Sequence, residues 1–96
     1  MKDCEWWLYV LLNSTQTKTY VGVSTDVHRR LREHNGLSKR AGAKATRAGR
    51  PWTVSAVHGP YTKSEAHKSE YKLKKQKFMR RLTWSDADAR DTDTSV

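Results

Sequence analysis

Residues 6–23 read Trp6-Trp7-Leu8-Tyr9-Val10-Leu11-Leu12, then Asn13-Ser14-Thr15-Gln16-Thr17, then Lys18-Thr19-Tyr20-Val21-Gly22-Val23. The first seven are aromatic or branched apolar residues, a strand-length run with the composition of a buried strand. The next five carry turn chemistry. The last six return as a second strand, so the stretch is an antiparallel hairpin. Gly22 falls late in that strand, where a missing side chain permits close backbone approach.

Beyond the hairpin, Ser24-Thr25-Asp26 offers a helix N-cap, and the next eight residues put Val27, Arg30, Leu31 and His34 on one face. Asn35-Gly36 closes that helix. Residues 36–50 hold five basic residues, four alanines and no acid, which reads as a basic loop with room for one short helix. Pro51 precedes a third strand, Trp52 to His58, which Gly59-Pro60 breaks. Thr62-Lys63-Ser64-Glu65 is a capping box opening a helix to about Lys75, and the basic run Lys72 to Arg81 continues as helix with Phe78, Met79 and Leu82 packing back. The order of two strands, helix, strand and helix predicts an α+β domain over residues 1–84. From Ser85 the chain is small, acidic and polar, an expected disordered tail over 85–96.

Composition narrows the function. The chain has 96 residues and a net charge of +9, unevenly spread. Residues 1–84 carry eighteen basic and six acidic side chains, a net +12, whereas 85–96 carry Arg90 against Asp86, Asp88, Asp91 and Asp93, a net −3. A folded part so basic attracts a polyanion. The single Cys4 excludes an intramolecular disulfide and a cysteine-built zinc site, and points to an intracellular protein. No apolar run reaches membrane-spanning length, and no secretory signal pattern opens the chain.

Three features are candidates for chemistry. Tyr9 and Tyr20 stand one on each hairpin strand, although tyrosines in strands are usually plain core aromatics. Arg30 lies between Val27 and Leu31 on the inward side of its helix, where an unpaired guanidinium is costly. A phosphate is one partner for it and a carboxylate the other, while Glu33 can pair with Arg29 four residues earlier. Glu70 aligns with Ala66 and Leu73 on the second helix, and a carboxylate there needs a cation, either a protein side chain or a hard ion such as Mg²⁺. A tyrosine or histidine, an arginine and a metal-bound carboxylate are the parts that phosphodiester hydrolysis needs.

Taken in order, Trp7-Leu8-Tyr9, Tyr20-Val21-Gly22, Arg30-Leu31 and Glu70 resemble the signature of the GIY-YIG nucleases, over roughly Trp6 to Lys75. Trp7 and Leu8 stand where that family commonly has glycine and isoleucine. Arg29 to Gly36 and Arg50-Pro51-Trp52 look most like the catalytic subunit of branched-DNA endonucleases and like small bacterial single-domain members. The resemblance implies a small three-stranded antiparallel sheet flanked by helices. It also implies a divalent-metal-dependent DNA endonuclease, with branched or damaged DNA in repair and recombination as its substrate class. The implied roles are Tyr20 as general base or water-positioning phenol, Tyr9 as its hydrogen-bonded partner, and Arg30 as the phosphate clamp. His34 would assist near the phosphate, and Glu70 would hold one Mg²⁺ or Mn²⁺. The branched-DNA enzymes carry a zinc module for which this chain has no cysteines, and some act with an activating protein partner. Arg29, Lys39, Arg40, Lys44, Arg47 and Arg50 are the expected contacts to the DNA backbone. The competing expectation is a nucleic-acid-binding module, non-catalytic or partner-dependent, that keeps the nuclease fold.

Overall fold

The computed structural model describes residues 5–38 and 43–85. Three strands, β1 (Trp6–Leu12), β2 (Thr19–Ser24) and β3 (Thr53–Tyr61), form one antiparallel sheet in the order β2-β1-β3. The most apolar strand takes the centre, where both of its backbone edges are paired and both of its faces are covered. Helices α1 (Val27–His34), α2 (Lys63–Lys74) and α3 (Phe78–Thr83), with one 3₁₀ turn at Lys44–Thr46, complete the described architecture. The expected three-stranded antiparallel sheet flanked by helices is the observed one.

Side chains alternate across a strand, and β1 therefore feeds two cores. Leu8 and Val10 sit opposite Val23 and Val21 of β2 and pack with Leu73 of α2 and with Trp84. On the other face Tyr9 and Leu11, opposite Gly22 and Tyr20, pack with Trp52 and with Val27 and Leu31 of α1. The hairpin turn is closed by Asn13, whose Oδ1 accepts from the backbone N–H groups of Thr17 (2.8 Å) and Lys18 (2.9 Å). That is the local side-chain-to-backbone bonding that makes asparagine a turn residue.

Asp26 caps α1 by accepting from the Arg29 N–H, and the Thr62–Glu65 capping box is formed at α2. The segment between α1 and β3 is tied back onto the end of α1. Asn35 donates to the Trp52 carbonyl (2.9 Å) and accepts from the Trp52 N–H (2.6 Å). The Trp52 indole donates to the carbonyls of Thr46 (3.0 Å) and Ala48 (3.1 Å), and Arg50 Nε donates to the His34 carbonyl (2.7 Å). The stretch read as a basic loop is thus anchored at the C-terminal end of α1.

Two boundaries differ from expectation. β3 runs through Gly59-Pro60 to Tyr61 instead of stopping at His58, because its pairing with β1 shifts register between Trp6 and Leu8 and the irregularity absorbs both residues. The basic run from Lys72 is not one helix: α2 ends at Lys74 and α3 begins at Phe78. Arg81 stabilises that break, donating through Nη2 to the Lys74 carbonyl (2.7 Å) and through Nε to the Gln76 carbonyl (2.9 Å). Residues 86–96 of the expected tail lie outside the described residues.

Candidate active site

The hairpin register brings the two tyrosines to one face. Tyr9 stands opposite Gly22 and Tyr20 opposite Leu11, so neighbouring pairs on the same face put their rings 6.4 Å apart. Gly22 makes this possible. A Cβ there would lie 2.5 Å from Tyr9 Oη and 2.6 Å from Cζ, inside any real contact distance, so the Tyr9 ring lies over the glycine.

Helix α1 contributes from above. Its i, i+4 pair Arg30 and His34 faces the sheet. The His34 ring centroid is 4.7 Å from Tyr20 and 6.0 Å from Tyr9, and Tyr9 Oη lies 2.9 Å from His34 Nε2. His34 Nδ1 lies 2.8 Å from Thr46 Oγ1. Arg30 donates to Glu33, and its cation acts on the Tyr9 phenol. Tyr9, Tyr20, Arg30 and His34 therefore form one cluster.

Electrostatics assign each group a charge state. Burial pushes the Tyr9 phenol up to about 12, against an opposing pull from Arg30, so it stays protonated. Burial, helped by the Arg30 and Arg50 cations, holds the His34 imidazole down to about 4. For Arg30, burial opposes the charge, but its interactions with Glu33 and Tyr9 outweigh it and raise its proton affinity. Glu33 is 2% exposed, and its carboxylate accepts from Arg30 and lies 3.8 Å from Arg29 Nε. It is the buried counter-ion of the cluster: the expected pair with Arg29 is present, and the one with Arg30, not read from the sequence, is the closer. Its signal was present in the chain: it is the only acid in α1, one turn beyond Arg30.

The neutral imidazole has a measurable consequence. The unfolded chain takes up a proton at His34 near 6.5 and the folded chain only near 4, so stability present above about pH 6.5 is lost as pH falls toward 4. The expected loss from this group is on the order of 3 kcal/mol. Denaturant unfolding at pH 7 and pH 4.5, with NMR titration of the ring, checks it, and a His34 that titrates near 6.5 in the folded protein contradicts it.

Glu70 comes from α2, on the opposite layer from α1, yet its charge acts on Tyr9. It shares its helix stripe with the buried Ala66 and Leu73, and its side chain is 19% exposed. Oε1 is 3.4 Å from His67 Nδ1 and Oε2 is 3.2 Å from Lys74 Nζ, both partners being about half exposed. Among the described residues no group of three or more His, Cys, Asp or Glu gathers for a metal. The donor set suits a hard ion that keeps most of its water and takes one protein carboxylate. Two partly exposed side chains are easily displaced from that carboxylate.

The expected backbone-contact residues divide. Arg29, Lys44, Arg47 and Arg50 are exposed, although Arg50 also packs on Gly36 and bonds the His34 carbonyl. Lys39 and Arg40 lie outside the described residues. Thr46, fully buried beside His34, was not singled out from the sequence, where a lone threonine in a basic loop carries no pattern. No helix among the described residues is long and apolar enough to cross a membrane.

Known proteins share this sequence pattern. Residues 5–81 match the GIY-YIG catalytic domain. A UPF0213 protein of Cupriavidus necator is 45% identical over 73 residues, covering 76% of this chain and 75% of the relative. The structure-specific endonuclease subunit SLX1 of Malassezia globosa is 43% identical over 70 residues, covering 72% of this chain and 16% of the relative. The corresponding subunit of Schizosaccharomyces pombe is 40% identical over 76 residues, with 74% of this chain and 28% of the relative covered. The chain thus spans most of the first relative and less than a third of each endonuclease subunit.

Proposed function

The chain belongs to the GIY-YIG family, and from that premise we propose that it is a divalent-metal-dependent DNA endonuclease acting on branched or damaged DNA inside the cell. The observation that carries the reading is the convergence of Tyr9, Tyr20, Arg30 and His34 from three separate elements onto one patch. The endonuclease subunits among the relatives support the substrate class.

Hydrolysis requires that a water oxygen attack phosphorus, that the P–O bond to the leaving oxygen break, and that the water's proton be taken up. Tyr9 is unsuited to accept that proton, since its phenol keeps its own up to about 12. Tyr20, only partly buried, is the phenol left to position the water; the water's proton passes to solvent on that open side, and the leaving oxygen takes one back from solvent. Arg30 has further N–H donors beyond that given to Glu33, and these clamp the phosphoryl oxygens. His34, neutral and fixed, orders Tyr9. A divalent ion held by Glu70 would supply charge neutralisation at the phosphate. Arg29, Lys44, Arg47 and Arg50, with Lys39 and Arg40, supply backbone contacts whose strength falls with salt. The word subunit in two of the relatives' names extends the reading to a protein partner.

A cleavage panel tests it: duplex, flap, fork, four-way junction and single strand, each with Mg²⁺ or Mn²⁺. Cleavage of at least one form is expected, abolished by chelation and by Glu70→Ala. Salt-sensitive binding without turnover on every form overturns the enzyme reading in favour of a binding module. Full activity of a folded Glu70→Ala overturns the metal assignment.

A further inference from the structure

The hydrogen bonds around His34 have a direction that the heavy-atom positions fix. Thr46 Oγ1 lies 2.8 Å from the Ala43 carbonyl and 2.8 Å from His34 Nδ1. A hydroxyl has one proton, and a carbonyl only accepts, so that proton goes to Ala43. Toward His34 the Thr46 oxygen can only accept, which places the imidazole proton on Nδ1. Nε2 is then a bare lone pair, and at 2.9 Å it accepts from the Tyr9 phenol. The Tyr9 oxygen, its proton committed to His34, turns its free lone pairs to the field of the Arg30 cation, which donates to Glu33. From Tyr9 through His34 and Thr46 to the Ala43 carbonyl, every donor points the same way.

We propose that Thr46 is a positioning residue of the site: by accepting from His34 Nδ1–H it sets the imidazole tautomer that makes Tyr9 a hydrogen-bond donor to Nε2 and turns the phenol oxygen toward Arg30. Thr46 is fully buried, and its hydroxyl has no solvent to exchange partners with. Without it, the imidazole proton moves to Nε2, where it faces the Tyr9 oxygen. The phenol then has to accept from His34, and its own proton turns toward the Arg30 cation. Which ring nitrogen carries the proton is set by the partner of the other, so the observed tautomer requires an acceptor beside Nδ1. Thr46 is also the last residue of the 3₁₀ turn that carries Lys44, with Arg47 next in sequence. The segment expected to meet the DNA backbone is therefore the segment that orders the tyrosine.

The kinetic part of this inference rests on the nuclease reading, and the spectroscopic part does not. The full chain labelled with ¹⁵N-histidine reports the two ring nitrogens of His34 by long-range ¹H–¹⁵N correlation, with Thr46→Val and Thr46→Ser as the variants. The wild-type ring is expected as the Nδ1–H tautomer at pH 7. Thr46→Val, which keeps the shape and removes the oxygen, shifts it toward Nε2–H, and Thr46→Ser restores Nδ1–H. On a DNA form that the wild type cleaves, Thr46→Val lowers kcat by about five- to tenfold with KM little changed, as loss of one ordering hydrogen bond predicts, and serine recovers it. An Nε2–H tautomer in the wild type overturns the proposal even if Thr46→Val does not fold. So does a folded Thr46→Val that keeps Nδ1–H. Absence of cleavage by the wild type on every DNA form defeats the nuclease reading while leaving the tautomer measurement intact.

Discussion

Arg30→Ala is expected to lower turnover on DNA by about a thousandfold and to destabilise the fold at the same time. The two losses have different origins. Turnover falls because the guanidinium is the cation available in the Tyr9–Tyr20–His34 cluster for the phosphoryl oxygens, and removing one such preorganised donor costs about 10²–10³ in rate before loss of its charge is counted. Stability falls because Glu33, 2% exposed, loses its principal partner, and an uncompensated buried carboxylate costs about 3–5 kcal/mol. Arg29 at 3.8 Å offsets part of this. Arg30→Ala with Glu33→Gln separates the effects, since the neutral amide needs no counter-ion. The double variant is expected to recover most of the stability and none of the turnover. Urea unfolding and single-turnover cleavage measure the two quantities, and cleavage by Arg30→Ala within about tenfold of wild type would remove arginine from the mechanism.

Gly22→Ala carries the second large effect. The added methyl would stand 2.5 Å from Tyr9 Oη, 2.6 Å from Cζ and 3.1 Å from Cε1, and the phenol is held at its other side by His34. Either the ring leaves its hydrogen bond or the β1–β2 pairing opens. Overpacking of this kind costs about 1–3 kcal/mol, and displacing a site group by about 1 Å costs on the order of a hundredfold in rate. Thermal unfolding and kcat on a cleavable DNA check it together. A Gly22→Ala protein with unchanged Tm and kcat would mean that the Tyr9 ring does not lie across the glycine.

The hairpin, α1 and the sheet architecture were legible because their signals are local. Seven apolar residues, a turn cluster and an eight-residue amphipathic stretch between Asp26 and Asn35 state their own boundaries. The errors arose where tertiary contacts override local preference. Gly59-Pro60 reads as a break, but an edge strand with a register shift admits it. Lys72 to Arg81 reads as one helix, but Arg81 folds back to cap carbonyls at the end of the first. Within the site, inward helical stripes exposed Arg30 and Glu70 to sequence reasoning. Glu33 was visible, and its expected pair with Arg29 is present at 3.8 Å; the closer bond to Arg30 went unread, because i+3 and i+4 partners are equally available on a helix. Thr46 had no periodicity to betray it, since it reaches His34 from an irregular loop.

Arg50 shows how one side chain can reshape the field at the end of a helix. Helix α1 ends at His34, so the helix presents its electronegative pole, worth roughly half an elementary charge, to the segment that carries Thr46 and Arg50. Helix-borne anion sites use the opposite pole. Here Arg50 Nε takes the last-turn carbonyl of His34 at 2.7 Å and quenches that field at its source. The field at this end of α1 is then set by the Arg50 cation instead of by the helix, and the helix's direction ceases to matter there.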